Sequence, residues 1–127
     1  MTTVHANNPR DATRRIENMV SMAGLNFPVH VIRQQMASAL NLIVHVSRLT
    51  GGRRKLVSIA EITGMEGDQF SIQDLFVFNQ TGIGEDRHAL GYFEACGVRA
   101  TCLGRLEAAG VVLPPDLFKK RRLNVTL

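Results

Sequence analysis

No stretch of this chain approaches the roughly 20 consecutive apolar residues that a bilayer-crossing helix needs. No basic-then-apolar leader opens it either. Both absences predict a soluble, cytosolic protein. Cysteine is scarce: Cys96 and Cys102 are the two present, too few for a disulfide framework, and both are expected to be reduced thiols. Lysine is confined to Lys55, Lys119 and Lys120, and none follows a glycine. A phosphate-binding loop needs Gly-Lys followed by Ser or Thr, so that backbone amides and an ammonium surround the phosphates, and this chain has none. The dinucleotide fingerprint GxGxxG is missing as well. Gly82-Ile83-Gly84 runs into Glu85 and Asp86, whose carboxylates repel a pyrophosphate. His5, His30, His45 and His88 fall on separate segments and the cysteines have no second pair, so no metal site is expected. Neither cysteine sits in a recognisable nucleophile context.

What is present describes one domain: 127 residues, 45% of them hydrophobic and 20% charged. Lys119, Lys120, Arg121 and Arg122 account for the whole net charge of +4, and the rest of the chain is balanced. The basicity therefore belongs to a tail, residues 119–127, which reads as a solvated end. Nucleic-acid binding through that tail, by a stand-alone interaction module, is the alternative function. No internal repeat or other low-complexity segment is present.

Asn8, Pro9 and Asp11 together start a helix: a side chain that caps, a ring that suits the first helical position, and a carboxylate near the positive end of the dipole. Ala12, Ile16, Met19, Val20 and Ala23 make its apolar stripe, and Gly24 stops it. A second helix is predicted from Pro28 to Leu40, with Val29, Ile32, Met36, Ala39 and Leu40 at helical spacing. Residues 41–49, NLIVHVSRL, read as a strand buried on both faces. Thr50-Gly51-Gly52 turns the chain into a return strand over 54–63, and Gly64 to Asp68 turns it again into QFSIQDLFVFN. ALGYFEA reads as a short further strand, residues 99–109 as a helix stopped by Gly110, and Pro114 to Phe118 as a last turn. Residues 1–5 read as a strand that has lost its neighbours. The fold class is α/β, with two helices, a three-stranded meander and a small C-terminal lobe, but with no second parallel crossover to complete a doubly wound sheet.

His5 stands out by position. On that reading it lies at the C-terminal end of a strand, before a capped helix, where α/β sheets collect anionic ligands. An imidazole there can donate to an anion or a water. His30, His45 and His88 read as hydrogen-bonded or solvent-facing side chains.

The segment TTVHANNPRDATRRIENMV resembles the histidine box and following helix of the secretion or traffic ATPases, in particular the CpaF and TadA type that drives pilus assembly. Thr3, His5, Ala6, Asn7, Pro9, Arg10, Asp11, Ala12, Arg15, Glu17, Met19 and Val20 fall on the family pattern. The resemblance continues through VIRQQMASALNLIVHVSRLTGGRRKLVSIAEITGMEG and reaches GYFEACGVRATCLGRLEAAGVVLPPDLF. Asn41 and Gly51 stand where Asp is common in the family, Arg14 replaces a small or polar residue, and Ala100-Thr101 replaces Pro-Lys. The four-cysteine zinc element of the general secretory branch is absent, which favours the pilus-type branch.

The resemblance implies that residues 1–118 are the C-terminal portion of a RecA-like ATPase domain whose P-loop half is absent from this sequence, with Met1 interior to a longer protein. It implies a bacterial parent that is a hexamer, binds ATP and Mg, and couples hydrolysis to pilin assembly or export on the cytoplasmic side of the inner membrane. Its expected partners are inner-membrane platform proteins, without nucleic acid and without membrane insertion. His5 is the implied catalytic residue, and Arg10 and Arg15 the implied residues of the phosphate side or subunit interface. For the fragment alone the expectation is no bound cofactor, no turnover, and self-association into a dimer or larger assembly. Arg48, Arg53 and Arg54 flank a hairpin turn and are read as solvated, with partner or subunit contact as the alternative.

Overall fold

The computed structural model describes residues 1–24 and 26–123. The sequence's strongest local signals are realised first. Helix α1 runs Pro9–Met22: the Asn8 side-chain oxygen accepts the Asp11 N–H at 2.8 Å, and the Asp11 carboxylate accepts the Asn7 N–H at 3.0 Å. One of the donors that a helix start leaves open, and the amide just ahead of the cap, are thus met by side chains. Gly24, at φ +77°, ends the helix in the left-handed region that costs glycine least. Helix α2 spans Val29–Ala39.

Five strands follow: β1 Leu42–Arg48, β2 Arg54–Glu66, β3 Gln69–Ile83, β4 Ala89–Ala95 and, after helix α3 at Leu103–Ala108, β5 Arg121–Leu123. They form one antiparallel sheet in the order β1-β2-β3-β4-β5. The mixed α/β class stands, with the meander enlarged from three strands to five. β2 continues beyond Thr63 to Glu66, so the turn into β3 narrows to Gly67 and Asp68, and the ladder absorbs irregularities at Ile59/Ala60 and Ile62/Gly64.

Residues 1–5 correct the sequence reading: they form no strand. Extended backbone becomes a strand by pairing, and no element of the described sheet runs alongside. β1 is corrected as well. It is half-buried on one face only: Ile43 joins the core under the helices, while no β1 residue joins the core under the lobe and Leu42, Val44 and Val46 stay 47%, 59% and 54% exposed. The helix expected over 99–109 shortens to α3.

Successive strand residues point to opposite faces, which gives the domain two cores. On one face α1 and α2 lay Ile16, Val20, Ile32 and Met36 over Ile62 and Phe70. On the other, the C-terminal lobe lays Ala100, Leu103, Leu113 and Phe118 over Ile59, Leu75 and Phe76, with the Phe76 and Phe118 rings 5.8 Å apart. The basic run is exposed yet ordered as far as it is described. Arg121 donates to the carbonyls of Asp116, Leu117 and Lys119, and the Arg122 guanidinium lies 3.8 Å from the Tyr92 ring centre. Residues 124–127 lie outside the described residues.

Candidate functional site

The helix that follows His5 carries the basic side chains singled out in the sequence, and the structure separates them. Arg10 and Arg15 are five positions apart, well round the helix from one another. Arg10 lies in a cleft of about 250 Å³ between α1, α2 and the β2–β3 turn, which it shares with Thr13, Arg14, Glu17, Arg33 and Asp68. Its Nη1 donates to the Phe70 carbonyl at 3.3 Å. Arg15 lies instead beside Val4, Asn18 and Met19 in a neighbouring hollow of about 460 Å³. Its Nε is 3.8 Å from the Asp11 carboxylate, a loose and solvated pair of little energetic weight. Arg14 borders both clefts and makes no hydrogen bond or ion pair among the described residues. His5 is exposed and lines neither cleft.

The first cleft has a fixed back wall. Arg33 grips Glu17 with two parallel bonds, Nε and Nη2 each 3.1 Å from a carboxylate oxygen, while Nη1 donates to the Asp68 carbonyl at 2.9 Å. The Glu17 hydrogen bond raises the Arg33 guanidinium above its ordinary value, and the Glu17 and Asp68 charges add to that against desolvation. Arg33 is therefore a brace between the two helices and the turn. Arg10 and Arg14 remain to meet an anion, with Asp68 opposing them. The cleft can hold a phosphate or carboxylate by charge, and Glu17 is too tightly paired to serve as a general base. These residues do not fit an ATP–magnesium site: among the described residues no three His, Cys, Asp or Glu side chains converge, and no glycine-rich cradle borders the cleft.

The remaining histidines occupy separate places. His30 is exposed on the first turn of α2, His45 is half-buried on β1, and His88 is held in the β3–β4 turn by Asp86. The Asp86 side chain accepts the His88 N–H at 3.1 Å, which holds its carboxyl below the ordinary range. That turn abuts the β1–β2 turn: the Ala89 N–H donates to the Thr50 carbonyl at 3.1 Å.

Sequence reasoning missed the largest fully buried side chain among the described residues. Glu61, 1% exposed on β2, accepts the Thr101 N–H at 2.8 Å, the Cys102 N–H at 3.1 Å and the Gln73 amide at 3.0 Å. Burial alone would raise its pKa; the two backbone donors and Gln73 more than reverse this and hold it below the usual carboxylate value. The pull runs the other way on Cys102, whose thiol is pushed up by burial and then by the Glu61 carboxylate. Glu61 fastens the C-terminal lobe to the sheet. The available signal was an acid placed within the apolar run LVSIAEIT, where a charge persists only if partners meet it.

Among the described residues no helix is long and apolar enough to cross a membrane. No family model matches the chain. Two Mycobacterium tuberculosis proteins named for conjugal transfer, from strain CDC 1551 / Oshkosh and strain ATCC 25618 / H37Rv, are each 35% identical to it over 89 residues. The match covers 69% of this chain and 24% of each relative, so the chain spans about a quarter of the length of the curated relatives it matches. It is distantly similar to proteins named for conjugal transfer, names that specify no enzymatic activity.

Proposed function

We propose that this chain is the C-terminal part of the motor domain of a secretion or conjugation ATPase of the CpaF and TadA type, and that it supplies the histidine box and part of the subunit interface. The 35% identity to proteins named for conjugal transfer, about four times as long as the matched segment, supports the secretion or conjugation part of this reading. The resemblance of Thr2 to Val20 to the histidine box adds to it. So does the cap that Asn8 and Asp11 make, which fixes the start of α1 directly behind His5.

In this reading ATP and Mg are held by the part of the longer protein that precedes the histidine box. Phosphoryl transfer depends on a phosphate cradle, metal ligands and a positioned nucleophile, and this chain contributes none of them. His5 acts as a positioning residue that links nucleotide state to α1. Arg10 and Arg15 serve the phosphate side or the contact between hexamer subunits. The assembly works at the cytoplasmic face of the inner membrane with platform proteins.

The test is genetic first. The reading frame upstream of the Met1 codon should encode Gly-x-x-x-x-Gly-Lys-(Ser/Thr), and a frame lacking that motif refutes the reading. In the longer protein, His5→Ala should lower ATP turnover more than nucleotide affinity. Unchanged turnover removes His5 from the site.

A further inference from the structure

Three arginines line the cleft between α1, α2 and the β2–β3 turn, and they differ in what they already hold. Arg33 uses one fork on Glu17 and its remaining nitrogen on the Asp68 carbonyl. Arg10 and Arg14 have no such acid. They stand four positions apart on α1, on the face that carries Glu17, and among the described residues no carboxylate lies at ion-pair distance from either. Like charges at that spacing destabilise a helix, and nothing described here relieves this pair.

Arg10 is nevertheless anchored at both ends. Its Nη1 donates to the Phe70 carbonyl, and its own carbonyl accepts the hydroxyl of Thr13, a residue 2% exposed, at 2.6 Å. A side chain held in this way loses little freedom on meeting a ligand. Size and valence select that ligand. A cleft of about 250 Å³ lies below the roughly 300–1,000 Å³ of pockets for drug-sized molecules, so it admits one small group. A carboxylate offers two oxygens, and one guanidinium fork meets both, as Arg33 does with Glu17. Two guanidinium groups without an acid suit an anion with more oxygens and more charge, which is a phosphate group. Asp68 opposes them from the rim, yet three guanidinium groups against two carboxylates still leave the cleft positive.

We propose that Arg10 and Arg14 bind a phosphate group in this cleft, as inorganic phosphate or as the phosphate of a monoester, while the Arg33 brace keeps the walls in place. All of these walls belong to α1, α2 and the β2–β3 turn, so the site needs no surface or edge beyond them. The proposal stands without the histidine-box reading: His5 lines no part of this cleft.

The test is an NMR titration of the whole chain with inorganic phosphate at fixed ionic strength, reading the Nε–H signals of Arg10 and Arg14. Both should shift saturably, with phosphate bound at least about tenfold more tightly than acetate. Arg14→Gln should weaken phosphate binding at least about tenfold, and Arg14→Lys, which keeps the charge and loses the fork, should fall between. Arg15→Gln, in the neighbouring hollow, should leave it unchanged. Methyl phosphate binding as well as inorganic phosphate assigns the site to an ester, and its exclusion assigns it to the free ion. In the longer protein the share of phosphate binding that Arg14→Gln removes should persist. No saturation, acetate equal to phosphate, or equal losses from Arg14→Gln and Arg15→Gln overturns the proposal. So does the disappearance of that share in the longer protein, where another segment would then fill the cleft. The upstream reading frame tests the histidine-box reading separately, and neither result decides the other.

Discussion

Replacing Glu61 with Gln keeps the size of the side chain and removes two things, the negative charge and the ability of both terminal atoms to accept. Oε1 takes the Thr101 N–H and the Gln73 amide, and Oε2 takes the Cys102 N–H. In the variant an NH₂ group replaces one of these oxygens and faces a donor. At least one charge-assisted bond is lost and a buried N–H is left without a partner. A hydrogen bond to a charged group contributes about 1.5–3 kcal/mol, and the expected loss at neutral pH is about 3 kcal/mol. The sign of the pH dependence follows from the lowered carboxyl pKa. A depressed folded-state value stabilises the fold above the unfolded carboxylate pKa of about 4.3, and that contribution disappears as pH falls through the folded value. Urea titrations followed by circular dichroism, from pH 7 downwards, should therefore show the two proteins differing most at neutrality and drawing together once pH falls below the unfolded carboxylate value and through the lower folded one. Hydrogen exchange at Thr101 and Cys102 should accelerate in the variant before exchange in β2 does, since their amides lose their acceptor first. A difference under about 0.5 kcal/mol at pH 7, or one that does not change with pH, refutes the assignment of Glu61 as the fastening of the lobe.

Two further perturbations read other parts of the fold. Gly51 sits at φ +90°, and a Cβ built there would lie 2.7 Å from His88 Cδ2 and 2.9 Å from the Arg87 carbonyl oxygen, so Gly51→Ala should lower Tm by several degrees. Gly52, at φ +80° with nothing within 4 Å of its Cβ position, is the control, and an equal Tm loss at both glycines would refute the packing of the two turns. Burial pushes both thiols up, helped at Cys96 by Asp74 and Glu94 and at Cys102 by Glu61. At pH 7.5 a disulfide reagent should label the native chain at least about tenfold more slowly than the urea-unfolded chain, and equal rates would refute this.

α1 was legible from Asn8, Pro9, Asp11 and Gly24 because a cap is a contact between residues three or four apart, complete within the segment that encodes it. α2 and the return of β2 after Gly51-Gly52 were legible for the same reason: period and turn chemistry are local. Residues 1–5 have strand-forming side chains and make no strand, since pairing needs a neighbour that the segment does not carry. The one-sided exposure of β1 was hidden because Leu, Ile and Val read alike whether one face of a strand is covered or both, and only the placement of the helices and the lobe distinguishes the two. In the candidate site, Arg10, Arg14 and Arg15 were visible as charges on one helix. Their division between two clefts, and the occupation of Arg33 by Glu17 and Asp68, depend on where α2 and the β2–β3 turn arrive.

Sequence alone thus determined α1 with its cap, α2, the hairpin turns and the absence of a phosphate loop, all properties of neighbouring residues. Tertiary structure decided which strand lies at the edge and which charges are already paired. It also decided that an acid in the middle of β2 is stable. The donors that hold Glu61 come from Thr101 and Cys102, 40 and 41 residues further along, and nothing local to Glu61 announces them. A buried charge is tolerated only by the partners that folding brings to it.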